Sequence, residues 1–371
     1  MQVTDLLKTA VLNNASDIHL TVKSYPVYRI NGELQSAGKI NPIYEKILTP
    51  EDTQDFVRQL ASPEQQKLLQ TKGEIDFSFV IEDLARFRVN VFKQRGAMAM
   101  VLRVIPSKIL TIEDLNLPPV ISELAGKQNG LVLVTGPTGS GKSTTLAAMI
   151  DYINKNRKDH IITLEDPIEF VHQHQNSVVN QREINHDTES FASALRAALR
   201  QDPDVILVGE MRDLETISIA ITAAETGHLV FGTLHTSSAA STVDRIIDVF
   251  PPHQQQQIRV QLAATIQGVI AQQLIRRIDK PGRTAAMEIM VATAAIRNLI
   301  REGKTHQINS SIQTGGKFGM QSLDNCLRGL AQKNMISPDE AIKRALDADG
   351  MRKNIHGSPL GAGFIDNFNN F

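Results

Sequence analysis

The stretch Gly136-Pro-Thr-Gly-Ser-Gly-Lys-Ser143 constrains the fold of this chain more than any other segment. An apolar run, LVLVT, precedes it and a helical run, TTLAAMIDYI, follows it, which is the context of a phosphate-binding loop. Its glycines let successive backbone amides surround a phosphate, and the start of the helix adds partial positive charge. The sequence therefore predicts an α/β domain with a phosphate-binding loop; a glycine-rich turn that binds nothing is the weaker alternative.

Each residue of this loop has an expected role in binding ATP and Mg²⁺. Lys142 is expected to reach the β- and γ-phosphates, and the hydroxyl of Ser143 is expected to bind Mg²⁺. The backbone of the loop supplies the other contacts. The predicted nucleotide-binding residues of the loop are Gly136, Pro137, Thr138, Gly139, Ser140, Gly141, Lys142, Ser143 and Thr144.

Two acidic segments follow other apolar runs. LEDPIEF supplies Glu165, Asp166 and Glu169, and VILVGE ends in Glu210. Open α/β sheets bind ligands at the carboxyl ends of their strands, so carboxylates there can act on the phosphate. We expect Glu165, nearest its strand, to polarise the attacking water. Glu210 is expected to order Mg²⁺ or its waters, although an aspartate is commoner there; Asp166 and Glu169 have helix capping or surface ion pairing as alternatives.

Two histidines flank the apolar run LVFGTL. His228 precedes it and His235 follows it, seven residues later, so a shared metal site is not expected. We assign His228 to nucleotide binding, with a hydrogen-bonded core residue as the alternative. His235, whose setting in GTLHT resembles a γ-phosphate sensor, is assigned a catalytic role.

The chain divides into segments of different character. Residues 1–105 contain a helical run, TDLLKTAVLNN, and strand-like runs such as RFRVNVF, which predict a small α+β domain with an antiparallel sheet. Residues 106–119, with prolines near both ends, suit a linker. Residues 120–350 alternate apolar runs with helical patterns and predict a three-layer α/β domain that ends in helices. Residues 351–371 have too little periodicity, and we expect a flexible tail.

Composition excludes several classes of protein. The 39 Lys and Arg residues nearly balance 40 acidic residues, which argues against a protein that coats nucleic acid or an anionic membrane. The single cysteine, Cys326, excludes an intramolecular disulfide and a cysteine zinc cluster. No apolar run approaches the roughly eighteen residues of a membrane span, and the amino terminus lacks a signal pattern. We therefore expect a cytoplasmic protein without a nucleic-acid partner.

Four motifs together carry a family resemblance. GPTGSGKST, LEDPIEF, VGEMRD and TGHLVFGTLHT, in this order and spacing, resemble the Walker A, Asp box, Walker B and His box of the secretion ATPase superfamily. ASDIHL resembles the family's N-terminal domain, so the likeness covers nearly the whole chain. Members power type II and type IV secretion and type IV pili. The resemblance implies a PAS-like first domain, a RecA-like P-loop ATPase domain and a homo-hexameric ring.

Two arginines of the first domain match the family's arginine fingers by position. They are Arg88 in RFRVNVF and Arg103 in AMVLRVIP. Phosphoryl transfer needs positive charge over the developing negative oxygens, and P-loop enzymes often take it from a neighbour. The resemblance therefore implies that both arginines act in a neighbouring subunit's site. The alternative is surface pairing with the nearby acids Glu82 and Asp83.

The stretch AIRNLIREGK lies far beyond the phosphate-binding loop. Helical spacing places Ile296, Leu299 and Ile300 on one side and Arg297 and Arg301 on the other, which alone indicates only an amphipathic helix. The stretch matches the AIRNLIRE motif of PilT-type pilus retraction ATPases. Extension-type relatives carry a four-cysteine zinc site, which one cysteine cannot form. The resemblance therefore favours retraction.

This resemblance also implies partners and a location. The protein is expected at the cytoplasmic face of the inner membrane, with the pilus platform protein as a partner and an accessory retraction ATPase as a further candidate. Alternatives are a pilus-extension or type II secretion ATPase, a RecA-like nucleic-acid translocase and a non-hydrolysing ring subunit. An aromatic content of 5% without tryptophan offers few surfaces for base stacking, and the intact motifs favour hydrolysis.

Overall fold

The computed structural model describes residues 1–30, 32–82, 84–105 and 108–356. The chain separates into two compact units. The first comprises Met1–Ile109 together with Pro167–Val171. The second begins at Leu110, is interrupted after Asp166 and resumes at His172. In the described ranges, no helix has both the length and the hydropathy that crossing a membrane requires.

Within its described residues, the first unit is a six-stranded antiparallel sheet with three α-helices and two short 3-10 helices. Its helices are α1 (Val3–Leu12), α2 (Pro50–Leu60) and α3 (Pro63–Lys72), with 3-10 turns at Ala37–Lys39 and Pro42–Tyr44. Its strands are β1 (Ala15–Leu20), β2 (Val27–Ile30), β3 (Glu33–Ser36), β4 (Glu74–Ile81), β5 (Ala85–Gln94) and β6 (Ala97–Ile105). They are arranged in the order β3-β2-β1-β6-β5-β4. The predicted α+β unit with an antiparallel sheet is confirmed.

Local sequence explains why these elements form. Thr49 and Ser62 each cap a helix through a capping box, and a proline follows each of them at the first helical position. Along β5, burial alternates, so that Phe87 and Val89 lie in the core while Arg88 between them faces outward. This alternation fixes which face of the sheet carries the arginines.

The second unit contains a seven-stranded sheet and eleven α-helices within the described residues. Its helices are α4 (Val120–Ala125), α5 (Lys142–Asn156), α6 (Phe191–Ala198), α7 (Leu214–Glu225), α8 (Ala239–Asp248), α9 (Pro252–Thr265), α10 (Ala294–Arg301), α11 (Ile308–Thr314), α12 (Leu323–Gln332), α13 (Pro338–Arg344) and α14 (Ala348–His356), with 3-10 turns at Thr305–Gln307 and Gly316–Phe318. Its strands are β7 (Gly130–Thr135), β8 (His160–Glu165), β9 (Val178–Glu183), β10 (Val205–Val208), β11 (Leu229–Leu234), β12 (Ile266–Arg276) and β13 (Arg283–Val291).

Burial on both faces makes this sheet the middle layer of three. The strand order is β13-β12-β7-β11-β10-β8-β9, and every pair is parallel except β12 with β13. In β7, Leu131 and Leu133 pack in one apolar core while Val132 and Val134 pack in another. Continuous apolar runs are the signature of such doubly covered parallel strands. The predicted three-layer α/β unit is confirmed.

Two segments differ from the sequence expectation, the end of the sheet and the proposed linker. The hairpin of β12 and β13 was not predicted, because β12 follows α9 with no turn residue between them. In the proposed linker, 106–119, Ile112 is 3% exposed and belongs to the core of the second unit. Pro106 and Ser107 lie outside the described residues.

The carboxyl-terminal boundary also needs correction. The predicted tail starts at 351, yet α14 continues to His356 and Met351 is buried in a small core. That core also contains Leu327 of α12 and Ala341 of α13, so packing against two preceding helices orders a segment whose own periodicity is weak. Residues 357–371 of the predicted tail lie outside the described residues.

Candidate nucleotide-binding and hydrolysis site

The loop between β7 and α5 requires glycine at two places that shape it. Gly136 has φ of +141°, and a Cβ there would lie 2.2 Å from the carbonyl oxygen of Gln272. Gly141, with φ of +89°, is the N-cap of α5. Because glycine has no side chain with which to cap, the first amides of α5 remain suited to an anionic ligand. The loop therefore fits a phosphate group.

Lys142, the first residue of α5, folds back over this loop. Its Nζ donates hydrogen bonds to the carbonyl oxygens of Gly136 at 2.9 Å and Pro137 at 3.2 Å. The residues that follow, Ser143 and Thr144, are partly exposed on the first turn of the helix. A phosphate in the loop would compete with two neutral carbonyls for the ammonium, and a charged acceptor binds it more strongly.

A buried glutamine of β12 holds the loop and the helix together. Gln272 is 3% exposed. Its Nε2 donates to the carbonyl oxygen of Ser140 at 2.7 Å, and its Oε1 accepts from Oγ1 of Thr145 at 2.9 Å. One amide therefore satisfies a buried loop carbonyl and a buried helix hydroxyl, which would each be costly to leave unpaired.

The carboxylate of Glu165 lies at the carboxyl end of β8, where the sequence predicts it. Its Oε1 accepts a hydrogen bond from Oγ1 of Thr163 at 2.7 Å and another from Nε2 of Gln181 at 3.0 Å. Two donors on one oxygen restrict rotation of the carboxylate. Glu165 is therefore both placed at the strand end and oriented there.

Glu210 and His235 lie in direct contact. Glu210 follows β10 and His235 follows β11, and Oε1 of Glu210 lies 2.9 Å from Nε2 of His235. The same carboxylate pairs with the guanidinium of Arg212. The sequence predicts both Glu210 and His235 as site residues but gives no indication of their contact, which requires β10 and β11 to be neighbours in the sheet.

Strand order brings the motifs to one edge of the sheet. β7, β11, β10 and β8 are consecutive neighbours and run parallel. Their carboxyl ends carry, in that order, the phosphate-binding loop, His235, Glu210 and Glu165. Ligands of open α/β sheets bind at this edge. The catalytic roles assigned to these residues remain predictions, but their common location fits one reaction site.

His228 does not belong to this edge, and its assignment to nucleotide binding is corrected. It precedes β11, whereas His235 follows the same strand. Six residues of strand span about 20 Å. Nδ1 of His228 lies 2.9 Å from the carbonyl oxygen of Ala223 at the end of α7. His228 therefore fits the alternative of a hydrogen-bonded structural residue.

The two predicted arginine fingers lie opposite each other in the first unit. Arg88 of β5 and Arg103 of β6 are register partners, with side chains 44% and 68% exposed. Nε of Arg103 donates to Oδ1 of Asp17 at 3.0 Å, and Nε of Arg88 lies 3.7 Å from Oδ1 of Asp76. Asp17 and Asp76 are not the acids expected from the sequence, which were Glu82 and Asp83, and Asp83 lies outside the described residues.

Of the two aspartates that contact Arg88 and Arg103, Asp17 is the more buried. Burial alone would raise its pKa, but hydrogen bonds from Arg103 and Ser16, with the charges of Arg103 and Arg29, hold the pKa of Asp17 below its ordinary value. Asp17 as a whole residue is 7% exposed, and its carboxylate stays ionised. It therefore holds Nε of the Arg103 guanidinium while most of that side chain remains exposed.

The helix formed by AIRNLIR, α10, is only partly as predicted. Ile296 and Ile300 are buried, as helical spacing predicts, and Arg301 is exposed. Arg297 is half-buried instead, because Nη1 donates to the carbonyl oxygens of Ala263 and Ala264, each at 2.7 Å. These carbonyls belong to the last turn of α9, so Arg297 caps that helix.

Comparisons with known proteins agree with this architecture. The family model described as type II/IV secretion system protein matches residues 1–316. The type IV pilus retraction ATPase PilT of Pseudomonas aeruginosa is 51% identical over 345 residues, covering 93% of this chain and 98% of PilT. The type IV pilus ATPase PilU of the same organism is 39% identical over 352 residues, covering 95% and 91%.

A solved structure agrees as closely. The crystal structure of the pilus retraction motor PilT with bound ADP has a TM-score of 0.88 and 47% identity, covering 95% of this chain and 99% of that one. The chain belongs to the type II/IV secretion system protein family. The predicted membership of the secretion ATPase superfamily, and of its PilT-type branch by similarity, is confirmed.

Two site residues of this secretion-family chain carry no motif. Gln272 lies in the run VIAQQLI, where a polar pair inside an apolar strand is the signal that could have identified it. Gln181 lies in VVNQRE, an edge strand without a distinctive pattern. Within the described residues, no cluster of three or more His, Cys, Asp or Glu side chains is arranged to hold a metal ion.

Proposed function

We propose that this protein is an ATP-hydrolysing motor that drives retraction of type IV pili. The observation that carries the proposal is the near-complete match to PilT, 51% identical over 93% of this chain and similar in fold to PilT with bound ADP. The phosphate-binding loop and the acidic strand ends at one sheet edge supply the matching chemistry. The similarity extends through both units, which favours a whole motor over an isolated nucleotide-binding domain.

Nucleotide binding in this proposal uses the loop and the start of α5. The backbone N–H groups of the loop, apart from Pro137, which has none, and the Lys142 ammonium bind the phosphates. Ser143 and Glu210 offer hydroxyl and carboxylate oxygens, which are the ligands that Mg²⁺ accepts directly or through water. When bound, Mg²⁺ supplies positive charge that offsets the charge of the β- and γ-phosphates.

Hydrolysis in this proposal depends on the orientation of the attacking water. The Glu165 carboxylate accepts a hydrogen bond, and then a proton, from that water. Nε2 of His235 contacts the Glu210 carboxylate, so a movement of that carboxylate also moves the His235 imidazole. Arg88 and Arg103 of a neighbouring subunit place positive charge over the phosphate oxygens, and this requirement for a neighbour ties turnover to assembly.

The working assembly in this proposal is a homo-hexameric ring. The ring operates at the cytoplasmic face of the inner membrane, against the platform protein at the base of the pilus. A PilU-like ATPase is a candidate accessory subunit, and PilU itself is 39% identical to this chain. The exposed side chains of Arg88 and Arg103 support a ring in which each reaches a neighbouring site, and the location and the platform partner are inferred from the similarity to PilT.

Lys142→Ala is the first test of this function in the purified protein. The wild type is expected to hydrolyse ATP in a Mg²⁺-dependent manner and to elute, by light scattering, at about six chain masses. Removal of the phosphate-binding ammonium is expected to lower kcat/KM by about 100-fold or more. Phosphate release is the readout.

Lys155→Ala provides the matched control, because Lys155 lies at the other end of α5 and pairs with Asp151 at 2.6 Å. It should retain wild-type turnover. A wild-type protein with no Mg²⁺-dependent ATPase activity, or a Lys142→Ala variant as active as wild type, would overturn the proposed function.

A further inference from the structure

Gln181 lies beside the proposed catalytic carboxylate. It lies on β9 and pairs in parallel register with Thr163 of β8. Thr163 in turn lies two residues before Glu165. Register neighbours and residues two apart share one face of a sheet, so all three side chains project from the same face. Nε2 of Gln181 donates to Oε1 of Glu165 at 3.0 Å. The contact therefore follows from strand pairing.

A backbone group fixes the orientation of the Gln181 amide. The N–H of His172 donates to Oε1 of Gln181 at 2.7 Å. A backbone N–H can only donate, so the amide oxygen must face His172 and the amide NH₂ must face Glu165. His172 is 8% exposed, which makes it a fixed anchor. A single amide thus holds the chain on both sides of residues 166–171.

We propose that Gln181 is a positioning residue for ATP hydrolysis, which holds the Glu165 carboxylate in the orientation that contacts the attacking water. This inference rests on the proposed role of Glu165 as the general base. A general base must lie within hydrogen-bond reach of the proton that it removes, and a flexible glutamate satisfies this only if neighbouring groups fix its rotamer. Thr163 and Gln181 each contribute one such hydrogen bond.

Two substitutions separate the donor function of Gln181 from its contact with His172. Gln181→Leu removes both hydrogen bonds at similar size. Gln181→Glu keeps an oxygen acceptor for the His172 N–H but replaces the amide donor by a carboxyl group. The ionised form of that group cannot donate and repels Glu165, whereas the protonated form can donate.

Asn180→Leu is the matched control. Asn180 is the preceding residue of β9, and its amide contacts the His160 imidazole at 2.8 Å, at the start of β8. Asn180→Leu therefore removes an amide hydrogen bond from the same strand but removes no contact to Glu165.

Steady-state ATPase assays on the assembled full-length protein, from about pH 6 to pH 8.5, test the proposal. Gln181→Leu is expected to lower kcat by about 10-fold with KM for ATP changed less than about twofold, since a hydrogen bond to a charged group is lost. For Gln181→Glu, the ratio of its kcat to that of wild type is expected to fall as pH rises. Asn180→Leu is expected to match wild type.

A purely structural role for Gln181 predicts different results. If the tie to His172 alone mattered, Gln181→Glu would match wild type at every pH, and that result overturns the proposal. A wild-type kcat in Gln181→Leu overturns it as well. If Gln181→Leu fails to assemble, the pH dependence of Gln181→Glu decides alone.

Glu165→Gln, assayed in parallel, separates the general-base role of Glu165 from the positioning role of Gln181. If Glu165→Gln hydrolyses ATP like wild type, the assignment of the general base is wrong and the positioning role is overturned with it. If Glu165→Gln is inactive while both Gln181 variants match wild type, only the positioning role is overturned.

Discussion

Glu165→Gln should abolish ATP turnover while leaving nucleotide binding intact. The substitution keeps the size of the side chain but removes its ability to accept a proton from water. The loss of a general base lowers kcat by about 100-fold or more. Phosphate release measures turnover, and a fluorescent ADP analogue measures binding, which is expected to change less than about twofold because the phosphate-binding loop is untouched.

Glu169, another acid of the same motif, supplies the control for this experiment. Glu169 is exposed and lies in the segment Pro167–Val171, which groups with the first unit. Glu169→Gln is expected to retain wild-type kcat. If instead Glu169→Gln is inactive and Glu165→Gln is active, the general base is Glu169, although its position relative to the end of β8 disfavours that role.

Arg103→Ala subunits should assemble into a ring that does not hydrolyse ATP. Mixing them with Glu165→Gln subunits should restore hydrolysis. An arginine supplied by a neighbouring subunit contributes about 1000-fold or more to phosphoryl transfer. In rings mixed from Arg103→Ala and Glu165→Gln subunits, some interfaces pair an intact Glu165 with an intact Arg103 from the neighbour. Two variants that are inactive alone are therefore expected to regain activity together, and Arg88→Ala should behave in the same way.

Arg29→Ala distinguishes this effect from disturbance around Asp17. Nε of Arg29 lies 3.7 Å from Oδ2 of Asp17, whose other oxygen accepts from Arg103. Arg29→Ala therefore removes a charge from the same cluster without removing the predicted finger, and its activity should match wild type. Mixed rings of Arg103→Ala and Glu165→Gln that stay inactive would show that Arg103 does not act across a subunit boundary.

The parts of the site that could be predicted from sequence are local ones. The loop from Gly136 to Ser143 is recognisable because its strand, glycines and helix are contiguous. Glu165, Glu210 and His235 are recognisable because each follows an apolar run. The structure then shows what local patterns cannot, namely that β7, β11, β10 and β8 are neighbours in this order.

The parts that were missed depend on long-range partners. Gln272 bonds to Thr145 across 127 positions of the chain, and a glutamine alone does not reveal such a partner. Arg297 was expected on the exposed side of its helix, but carbonyls at the end of α9 accept its hydrogen bonds. His228 was assigned because it flanks the strand LVFGTL, but strand direction places His228 and His235 at opposite ends of β11.

The buried histidine beside the site shows the same limit. Burial lowers the pKa of His172 to about 4, although the charge of Asp151 acts in the opposite direction. Its sequence context, VHQHQN, resembles that of a polar loop. Only the packing of the folded chain makes His172 a buried residue with a neutral imidazole, whose backbone N–H orients Gln181.

Pilus dynamics in the cell that encodes this protein test the motor assignment most directly. Pili carrying a fluorescent label would be followed by microscopy in wild-type cells and in cells whose gene encodes Glu165→Gln, with the amount of protein checked in both. We expect pili to extend in both strains and retraction events to disappear in the variant. Retraction at the wild-type rate in the Glu165→Gln strain, or a loss of extension instead of retraction, would contradict it.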